Sequence, residues 1–285
     1  MRYLILGCCG MAGHMLGAYL QEQGAEVIGF ARRDNHICKT EIGDARDTDR
    51  LHQVIVDARA DVVVNAIGIL NRAVDINIAN GIYINSYLPH FAARSAAEAG
   101  SMFFHLSTDC VFSGQRGGYN ESDLPDEVSW YGRTKALGEV TAGEHGLTIR
   151  TSIVGPEINS SGVGLFHWFM QQTDTVQGYR EVFWSGVTTL ELAKFIWFLR
   201  ATDYKGLLHL SNNHKISKYN LLSLFNRYRR QQVHIVPVDE PVSDKTLFCT
   251  QSVAGYHVPT YEKMIDDQAN WIKSHEELYS MYEVK

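Results

Sequence analysis

One glycine-rich turn constrains the fold of this chain more than any other feature. A short apolar segment, residues 2–6, leads into Gly7-Cys8-Cys9-Gly10-Met11-Ala12-Gly13, and an amphipathic stretch with helical spacing follows. In a G-x-x-G-x-x-G turn the glycines permit a tight bend and a close approach of the backbone to a pyrophosphate, while the helix N-terminus offers free N–H groups. Because the turn stands between a strand and a helix, it predicts a dinucleotide site. The residues expected to form this site are Gly7, Gly10, Met11 and Gly13.

Strands and helices alternate through the rest of the first half. Apolar runs predict strands at residues 2–6, 26–30, 40–42, 61–67, 102–106 and 147–153, and helical patterns cover 15–20, 51–56, 78–99 and 131–144. Such alternation indicates βαβ units, a parallel sheet and right-handed crossovers. We therefore expect an α/β fold whose residues 1–155 form a Rossmann-type doubly wound parallel sheet.

The pattern changes after residue 155, where aromatic residues become frequent. Helices are predicted at 163–172, 188–201, 217–231 and 259–280, with a short strand at 207–210. We expect residues 156–285 to form mainly a smaller substrate-binding lobe, with some segments returning to the first domain. The aromatic stretch 163–184 could contact a base or a sugar, but packing in a hydrophobic core is the favoured interpretation.

The residues at the end of the second predicted strand indicate whether the chain binds NAD(H) or NADP(H). An acidic residue there binds the ribose 2′-hydroxyl of NAD(H), whereas arginine accommodates the 2′-phosphate of NADP(H). Arg32 and Arg33 at this point favour NADPH, while the adjacent Asp34 keeps NADH as an alternative. Further along, Asp44 is placed either to accept a hydrogen bond from the adenine amino group or to cap a helix over 45–58.

Hydroxyl-bearing residues at two places predict the chemistry. Tyr131 and Lys135 lie four apart on one face of a predicted helix, where the ammonium would lower the pKa of the tyrosine towards the range useful for proton transfer. Thr108 follows the strand at 102–106, at the sheet edge where open α/β sheets bind ligands. Thr108 and Tyr131 can then hydrogen-bond an oxygen that gains charge during carbonyl reduction. Each signal is weak by itself, because i, i+4 pairs are frequent in helices and a strand-end threonine can be a cap.

Composition and charge argue against several other classes. The net charge of −6 provides no general basic face for nucleic acid or for an anionic membrane. No apolar run reaches the roughly 18 residues of a transmembrane helix, and the apolar N-terminal stretch is too short for a signal peptide. The cysteines are scattered and the histidines show no metal spacing. We expect a soluble, cytoplasmic protein with reduced thiols and no metal, and a homodimer stays open.

Six short segments, taken in their order along the chain, resemble the motifs of a known family. They are residues 6–13, 61–66, 107–114, 119–121, 131–139 and 150–152, which read LGCCGMAG, DVVVNA, STDCVFSG, YNE, YGRTKALGE and RTS. The set resembles the extended short-chain dehydrogenase/reductase family, and in particular its dTDP-4-dehydrorhamnose reductase-like branch. The resemblance covers about the first 155 residues and is looser beyond them.

The resemblance implies NADPH-dependent reduction of the 4-keto group of a nucleotide-linked 6-deoxyhexose, in deoxysugar precursor synthesis. It gives Thr108 the role of positioning the carbonyl, Tyr131 that of general acid, and Lys135 that of tuning Tyr131 and binding the nicotinamide ribose. Cofactor-lining residues are expected at Asn65, Ala66, Gly68 and Asn85. Substrate contacts are expected at Asp109, Cys110, Val111 and, more weakly, Trp184.

Two departures from the family pattern leave the substrate open. Cys110 stands where relatives usually carry a tyrosine, and the segment 67–75, near the sugar in the family, reads differently. Cys110 also replaces the glutamate that dehydratases on this scaffold use, which argues against elimination chemistry. A nucleotide-sugar 4-epimerase stays an alternative. So does a non-catalytic NADP-binding regulatory subunit, such as the family's partner of methionine adenosyltransferase.

Overall fold

The strands of the chain fall into one large sheet and several small ones. The computed structural model describes residues 1–141, 146–251, 253 and 255–285. The strands in this part are β1 (Arg2–Leu6), β2 (Glu26–Ala31), β3 (Lys39–Ile42), β4 (Val62–Asn65), β5 (Met102–Thr108), β6 (Gly146–Thr151), β7 (Ile153–Val154), β8 (Val176–Tyr179), β9 (Val182–Trp184), β10 (Val187–Thr188), β11 (Gly206–His209), β12 (Ile216–Ser217), β13 (Ile235–Val238) and β14 (Ser243–Asp244).

Helices connect these strands along the chain. They are α1 (Met11–Glu22), α2 (Thr48–Ala58), α3 (Asn71–Ile76), α4 (Ile78–Ile82), α5 (Leu88–Glu98), α6 (Trp130–Leu137), α7 (Leu165–Met170), α8 (Thr189–Leu199), α9 (Lys218–Arg227), α10 (Tyr261–Ser274) and α11 (Glu276–Tyr279). None of these helices, within the ranges described, has the length and apolar character needed to cross a bilayer.

The large sheet has seven parallel strands in the order β11-β6-β5-β4-β1-β2-β3. The chain runs outward from β1 through β2 to β3 and then returns to place β4 on the other side of β1. This reversal opens a crevice at the carboxyl ends of β1 and β4, where doubly wound sheets bind ligands. The predicted Rossmann-type fold is thus confirmed.

Helices cover both faces of the sheet, and alternate residues of β1 point to opposite faces. Tyr3 and Ile5 belong to a core with α1 and α8, whereas Leu4 and Leu6 belong to a core with α2 and α5. All four side chains are fully buried. Because full burial of a large apolar side chain is worth about 1.5–3 kcal/mol, these two cores fix the sheet between its helices.

The single helix predicted over 78–99 is instead interrupted by a π-helical turn. α4 and α5 flank the turn Tyr83–Tyr87, and Pro89 lies in the first turn of α5. The wider turn directs Asn85 and Ser86 inwards, where both are buried and bonded to neighbouring segments. Such turns inside helices often occur at functional sites.

Other helix boundaries also differ between the prediction and the structure. The helix predicted over 131–144 ends at Leu137, and the next residue, Gly138, packs so closely that a Cβ there would lie 1.8 Å from the Asn85 carbonyl oxygen. The last part of that prediction, 142–144, lies outside the described residues. The capping role considered for Asp44 is wrong, because α2 begins after Asp47, whose side chain accepts from the Arg50 N–H. The short helix α3 was not predicted.

The segments after residue 155 divide between the large sheet and a lobe. The strand predicted at 207–210 becomes β11 and pairs with β6, and α8 packs against α1. The remaining short strands form the pairs β7–β10 and β8–β13 and the three-stranded sheet β12-β9-β14. These pieces follow β6 in the sequence and, with α7 and α9, form the part of the chain for which a lobe was predicted; we call it the C-terminal lobe, although its buried residues share one core with the α1 side of the large sheet.

Candidate active site

The glycine turn is held tightly at the crevice of the sheet. Gly7 adopts a φ of +87°, which residues with a Cβ rarely adopt. A Cβ on Gly13 would lie 2.1 Å from the Gly7 carbonyl oxygen, so only glycine lets α1 pack against the turn. Gly10 caps α1 without any side-chain hydrogen bond. The N-terminus of α1 therefore presents backbone donors and a positive dipole end, which suit a pyrophosphate.

A cavity of about 660 Å³ opens over this turn. Seven of the residues predicted for the cofactor line it, namely Gly7, Gly10, Arg32, Arg33, Asp44, Ala66 and Gly68. Two others lie outside this lining. Gly13 packs against the Gly7 carbonyl of the turn, and the Met11 side chain lies against Gly164 instead.

Arginine side chains gather at one end of this cavity. Arg32 is exposed and has no hydrogen bond or ion pair within the described ranges, whereas Arg33 donates to the Asn159 side-chain oxygen. Arg46 donates to Asp44 at 3.0 Å, and this hydrogen bond holds the pKa of the Asp44 carboxyl down at about 2. The sequence pattern did not single out Arg46 or Asn159. Asp44 and Arg46 are two apart and so detectable as a local pair, but nothing local links Asn159 to Arg33.

Asn65 and Asn85 stand behind the cavity wall. The Asn65 side-chain oxygen accepts from Ile67 N at 3.1 Å, and its amide nitrogen lies 3.1 Å from His105 Nδ1. Asn85 bonds both the N–H and the carbonyl oxygen of Ile69 at 2.9 Å. Both side chains are fully buried, so the structure gives them the role of shaping the loop after β4. Their predicted direct contact with the cofactor is not seen in the cavity lining.

The predicted catalytic residues come together at the carboxyl end of β5. The Thr108 hydroxyl accepts from Cys110 N at 3.1 Å and donates to the Asp109 carboxylate at 3.1 Å. Tyr131 lies in the first turn of α6, and a Cβ on Gly132 would lie 2.4 Å from the Cys110 carbonyl oxygen. This close packing places Tyr131 near Thr108, whose hydroxyl interacts with the phenol.

Burial is the main cause of the pKa shifts of Tyr131 and Lys135. Desolvation raises the pKa of Tyr131 above its ordinary value, and the Thr108 hydroxyl opposes the rise. Burial lowers the pKa of Lys135 to about 8, against the attraction of Glu139. The Lys135 ammonium donates to the Leu106 carbonyl oxygen at 2.8 Å. The predicted lowering of the Tyr131 pKa by Lys135 is therefore wrong for this structure, because desolvation outweighs any other influence on the phenol.

A buried ion pair anchors α6 to the sheet behind the catalytic residues. Arg150 on β6 makes two hydrogen bonds of 2.6 Å to the Glu139 carboxylate, which also accepts from the Ser107 hydroxyl at 2.7 Å. The two side chains are 3% and 5% exposed. Glu139 follows the end of α6 and thus fixes the helix that carries Lys135 against β5 and β6.

The four predicted substrate contacts divide into two kinds. Asp109 and Cys110 follow Thr108 directly, and burial raises the pKa of both, that of Cys110 to about 12. Val111 and Trp184, by contrast, belong to hydrophobic cores. Val111 is fully buried, and the Trp184 ring packs 5.6 Å from that of Tyr261. Their side chains therefore present almost no surface to a ligand.

Comparison with known proteins identifies the family to which the chain belongs. Residues 1–245 match the family model described as the RmlD substrate binding domain. The chain belongs to the RmlD substrate binding domain family. A dTDP-4-dehydrorhamnose reductase of Burkholderia thailandensis is 33% identical over 161 residues, which is 54% of this chain and 50% of that enzyme. The match thus spans half the length of that relative.

Other RmlD-type relatives match over more of the chain. The methionine adenosyltransferase 2 subunit beta of Bos taurus is 24% identical over 256 residues, covering 85% of this chain and 76% of that protein. The crystal structure of a hypothetical dTDP-4-dehydrorhamnose reductase from Sulfolobus tokodaii has a TM-score of 0.77 and 25% identity, covering 92% and 98% of the two chains. The dTDP-4-dehydrorhamnose reductase from Bacillus anthracis, solved with NADP, gives 0.80 at 19% identity, covering 96% and 99%.

The structure also reveals lysines near the catalytic group that the sequence pattern did not single out. Lys245 donates to the Glu127 carboxylate at 2.5 Å, and both Lys218 and Lys245 interact electrostatically with Asp109. Lys218 begins α9 and lies 109 residues after Asp109 in this RmlD-type chain, so no local motif could connect them. In the part of the chain described, no group of three or more His, Cys, Asp or Glu is arranged to hold a metal ion.

Proposed function

We propose that this chain is an NADPH-dependent reductase of the 4-keto group of a nucleotide-linked 6-deoxyhexose. The observation that carries the proposal is the approach of Thr108 and Tyr131 at the carboxyl end of β5, with the Lys135 ammonium bound to the Leu106 carbonyl oxygen of the same strand. This group lies on the strand next to β4, which borders the crevice that holds the glycine turn. Membership of the RmlD family, and relatives named as dTDP-4-dehydrorhamnose reductases, support the same chemistry.

The arginines of the cofactor cavity support NADPH as the proposed cofactor. Gly7, Gly10 and the N-terminus of α1 would hold the pyrophosphate. Arg32 and Arg33 would take the 2′-phosphate, since a guanidinium group matches the geometry of a phosphate dianion. The Asp34 carboxylate instead accepts from the His36 N–H at 3.1 Å, within its own loop. When bound there, NADPH supplies the hydride for the reduction.

The residues of the chain handle the substrate oxygen. Thr108 and Tyr131 would donate hydrogen bonds to the C4 carbonyl oxygen, and the Tyr131 proton would pass to that oxygen as the carbon is reduced. The raised pKa of Tyr131 keeps the phenol protonated, as an acid requires. The Lys135 ammonium would then stabilise the phenolate left behind, provided that it still carries its proton.

The test is a reductase assay with purified chain, NADPH and a panel of 4-keto-6-deoxyhexoses linked to dTDP, UDP, CDP and GDP. We expect NADPH to be consumed in equal amount to the alcohol formed, with at least one of these sugars. Net consumption separates a reductase from a 4-epimerase, which returns the hydride to its substrate. If no sugar of the panel causes NADPH oxidation, the proposal fails.

A non-catalytic regulatory subunit is the second candidate. It is favoured by the long match to the methionine adenosyltransferase subunit, which covers 85% of this chain. A Tyr131→Phe variant distinguishes the two functions when both it and the parent chain are added to a methionine adenosyltransferase. A regulatory subunit would act equally well with either residue. A reductase would lose turnover in the variant and leave the transferase unaffected in both forms.

A further inference from the structure

One segment from the second half of the chain reaches the cofactor cavity. It comprises residues 157–164, which join β7 to α7 and which we call the strap. Asn159 of the strap lines the cofactor cavity, whereas every other lining residue in the described chain falls between Gly7 and Ile84. The cavity is therefore completed by one side chain from a distant part of the sequence.

The strap also leads into the C-terminal lobe. α7 begins directly after it, at Leu165, and α7 lines a second cavity, of about 520 Å³, in that lobe. The other walls of the second cavity come mainly from β8, β9, α9 and residues 241–243. The strap thus lies between the two cavities, and a contact that holds it at the first also constrains the start of α7 at the second.

Both ends of the strap are anchored. The Glu157 N–H donates to the Tyr282 hydroxyl at 2.8 Å, and the Glu157 carboxylate accepts from the Gly164 N–H at 2.8 Å. Gly164 packs on the first residue of α1, since a Cβ there would lie 2.9 Å from the Met11 sulfur. Because its ends are bound to each other and to α1, the strap holds Asn159 at the cofactor cavity.

Asn159 in turn holds the side chain of Arg33. The Arg33 guanidinium donates to the Asn159 side-chain oxygen. Arg33 is exposed, and its side chain makes no other hydrogen bond or ion pair within the described residues. A free arginine loses much rotamer freedom when it binds a ligand, and fixing it beforehand removes part of that cost. Asn159 is therefore placed to preorganise Arg33.

The contact orients Arg33 without neutralising it. A guanidinium carries five N–H donors, and the uncharged amide oxygen of Asn159 accepts from one side of it. Arg46, which also lines the cavity, differs because it donates at 3.0 and 3.1 Å to the two oxygens of the Asp44 carboxylate. The charge of Arg46 is thus already paired, whereas that of Arg33 is not. The Asn159 amide nitrogen adds two N–H donors, for which the described residues provide no acceptor.

We propose that Asn159 is a positioning residue for the 2′-phosphate of NADPH. It orients Arg33 towards the phosphate and offers its own amide N–H groups to the same oxygens. A cation and a neutral amide donor suit a phosphate dianion, whereas the 2′-hydroxyl of NADH gains little from either. The inference rests on the proposed NADPH cofactor and adds a determinant of cofactor choice from outside the first 155 residues.

The test is a fluorescence titration of NADPH and of NADH into the full chain, comparing the parent with Asn159→Ala and Asn159→Asp. We expect Asn159→Ala to raise the Kd for NADPH about 10-fold, as for a lost hydrogen bond to a charged group, and to leave the Kd for NADH unchanged. Asn159→Asp should raise the Kd for NADPH further, about 100-fold, because its carboxylate pairs with Arg33 and repels the phosphate.

Asn212→Ala is the matched control. Asn212 is also partly buried, and its amide donates to the Pro259 carbonyl oxygen at 3.2 Å, but it does not line the cofactor cavity. Both dissociation constants should stay at the parent values. Circular dichroism and the Kd for NADH check that each variant is folded.

A double-mutant cycle with Arg33→Ala tests whether Asn159 acts through Arg33. In the Arg33→Ala chain, Asn159→Ala should raise the Kd for NADPH only about 2- to 3-fold, because no guanidinium remains to be oriented. Fully additive effects of the two replacements would overturn the positioning role.

The other contrary results are distinct from a failure of the proposed reductase. An unchanged Kd for NADPH in Asn159→Ala, or an equal rise for NADPH and NADH, would overturn the inference. So would tighter NADPH binding in that variant, since Asn159 would then sequester Arg33. Each of these results in a chain that still reduces a 4-keto sugar leaves the proposed function standing. Selective loss of NADPH binding in a chain that reduces no sugar of the panel would support this inference and refute the reductase.

Discussion

The cofactor cavity and the cavity of the C-terminal lobe are built in different ways. The first is lined by short loops at strand ends, and its turn depends on backbone packing, because a Cβ on Gly13 would lie 2.1 Å from the Gly7 carbonyl oxygen. The second is made of side chains from several separate helices and strands, spread over residues 165–243. A backbone-built site ties binding to the stability of the fold. A side-chain-built site can change its ligand while the fold persists.

The largest effect should come from the buried pair Arg150–Glu139, which holds α6 against β5 and β6 between the two cavity-forming parts of the sequence. Replacing Arg150 by Met would leave the Glu139 carboxylate buried without its partner, which we expect to lower the free energy of unfolding by about 3–5 kcal/mol. Arg180→Met is the matched control in the lobe, because Arg180 and Asp239 form an exposed pair worth about 0–1 kcal/mol. Urea denaturation measures both. Similar losses in the two variants would erase the distinction between buried and exposed pairs.

Lys135 should make the free energy of unfolding depend on pH, by an amount similar to the loss expected for Arg150→Met. Its pKa is about 8 in the folded chain, below the ordinary 10.5, so the unfolded chain holds more protons between these values. The free energy of unfolding should therefore rise with pH in this window, by about 3 kcal/mol in total. Lys135→Met should remove that rise, which stability curves of the two proteins will show. Reductase activity should move in the opposite direction and fall above about pH 8, as the ammonium loses its proton.

A smaller loss should follow from adding one methyl group beneath the glycine turn. Gly13→Ala puts a Cβ 2.1 Å from the Gly7 carbonyl oxygen, and we expect about 1–3 kcal/mol of destabilisation together with weaker NADPH binding. Gly17→Ala, one turn later in α1, meets nothing closer than 3.6 Å and should be neutral or stabilising by up to about 1 kcal/mol. Thermal melting with and without NADPH separates them. An unaffected Gly13→Ala protein would contradict a backbone-built site.

The smallest effect should fall on cofactor choice alone. Arg32 is exposed and forms no hydrogen bond or ion pair with the described residues, so Arg32→Ala should leave the free energy of unfolding within about 0.5 kcal/mol of the parent. KM for NADPH should rise about 10- to 100-fold, because a charged hydrogen bond to the phosphate is lost. KM for NADH should stay the same and serves as the internal control. Equal changes for both cofactors would place Arg32 away from the 2′-phosphate.

The two regions also differ in how far the sequence predicts them. The glycine turn follows from residues 2–13 alone, the doubly wound parallel sheet from the alternation of strands and helices, and the catalytic role of Tyr131 and Thr108 from their places in the ordered motifs of the first 155 residues. Asn159, Lys218 and the true surroundings of Trp184 do not, because each depends on contacts between segments far apart in the chain. Cofactor-lining roles predicted for Asn65 and Asn85 instead became hydrogen bonds behind the wall, since a buried amide is satisfied by the nearest backbone groups.

The position of β11 at the edge of the large sheet has a consequence for synthesis on the ribosome. β6 pairs with β5 on one side and must wait for residues 206–209 to cover its other edge. Until then the nascent chain leaves one edge of β6 unpaired, and an unpaired strand edge is prone to associate with other strands. Release of the cofactor-binding half as a separate fragment should therefore yield an aggregating product, and a stable truncation must keep the chain through β11.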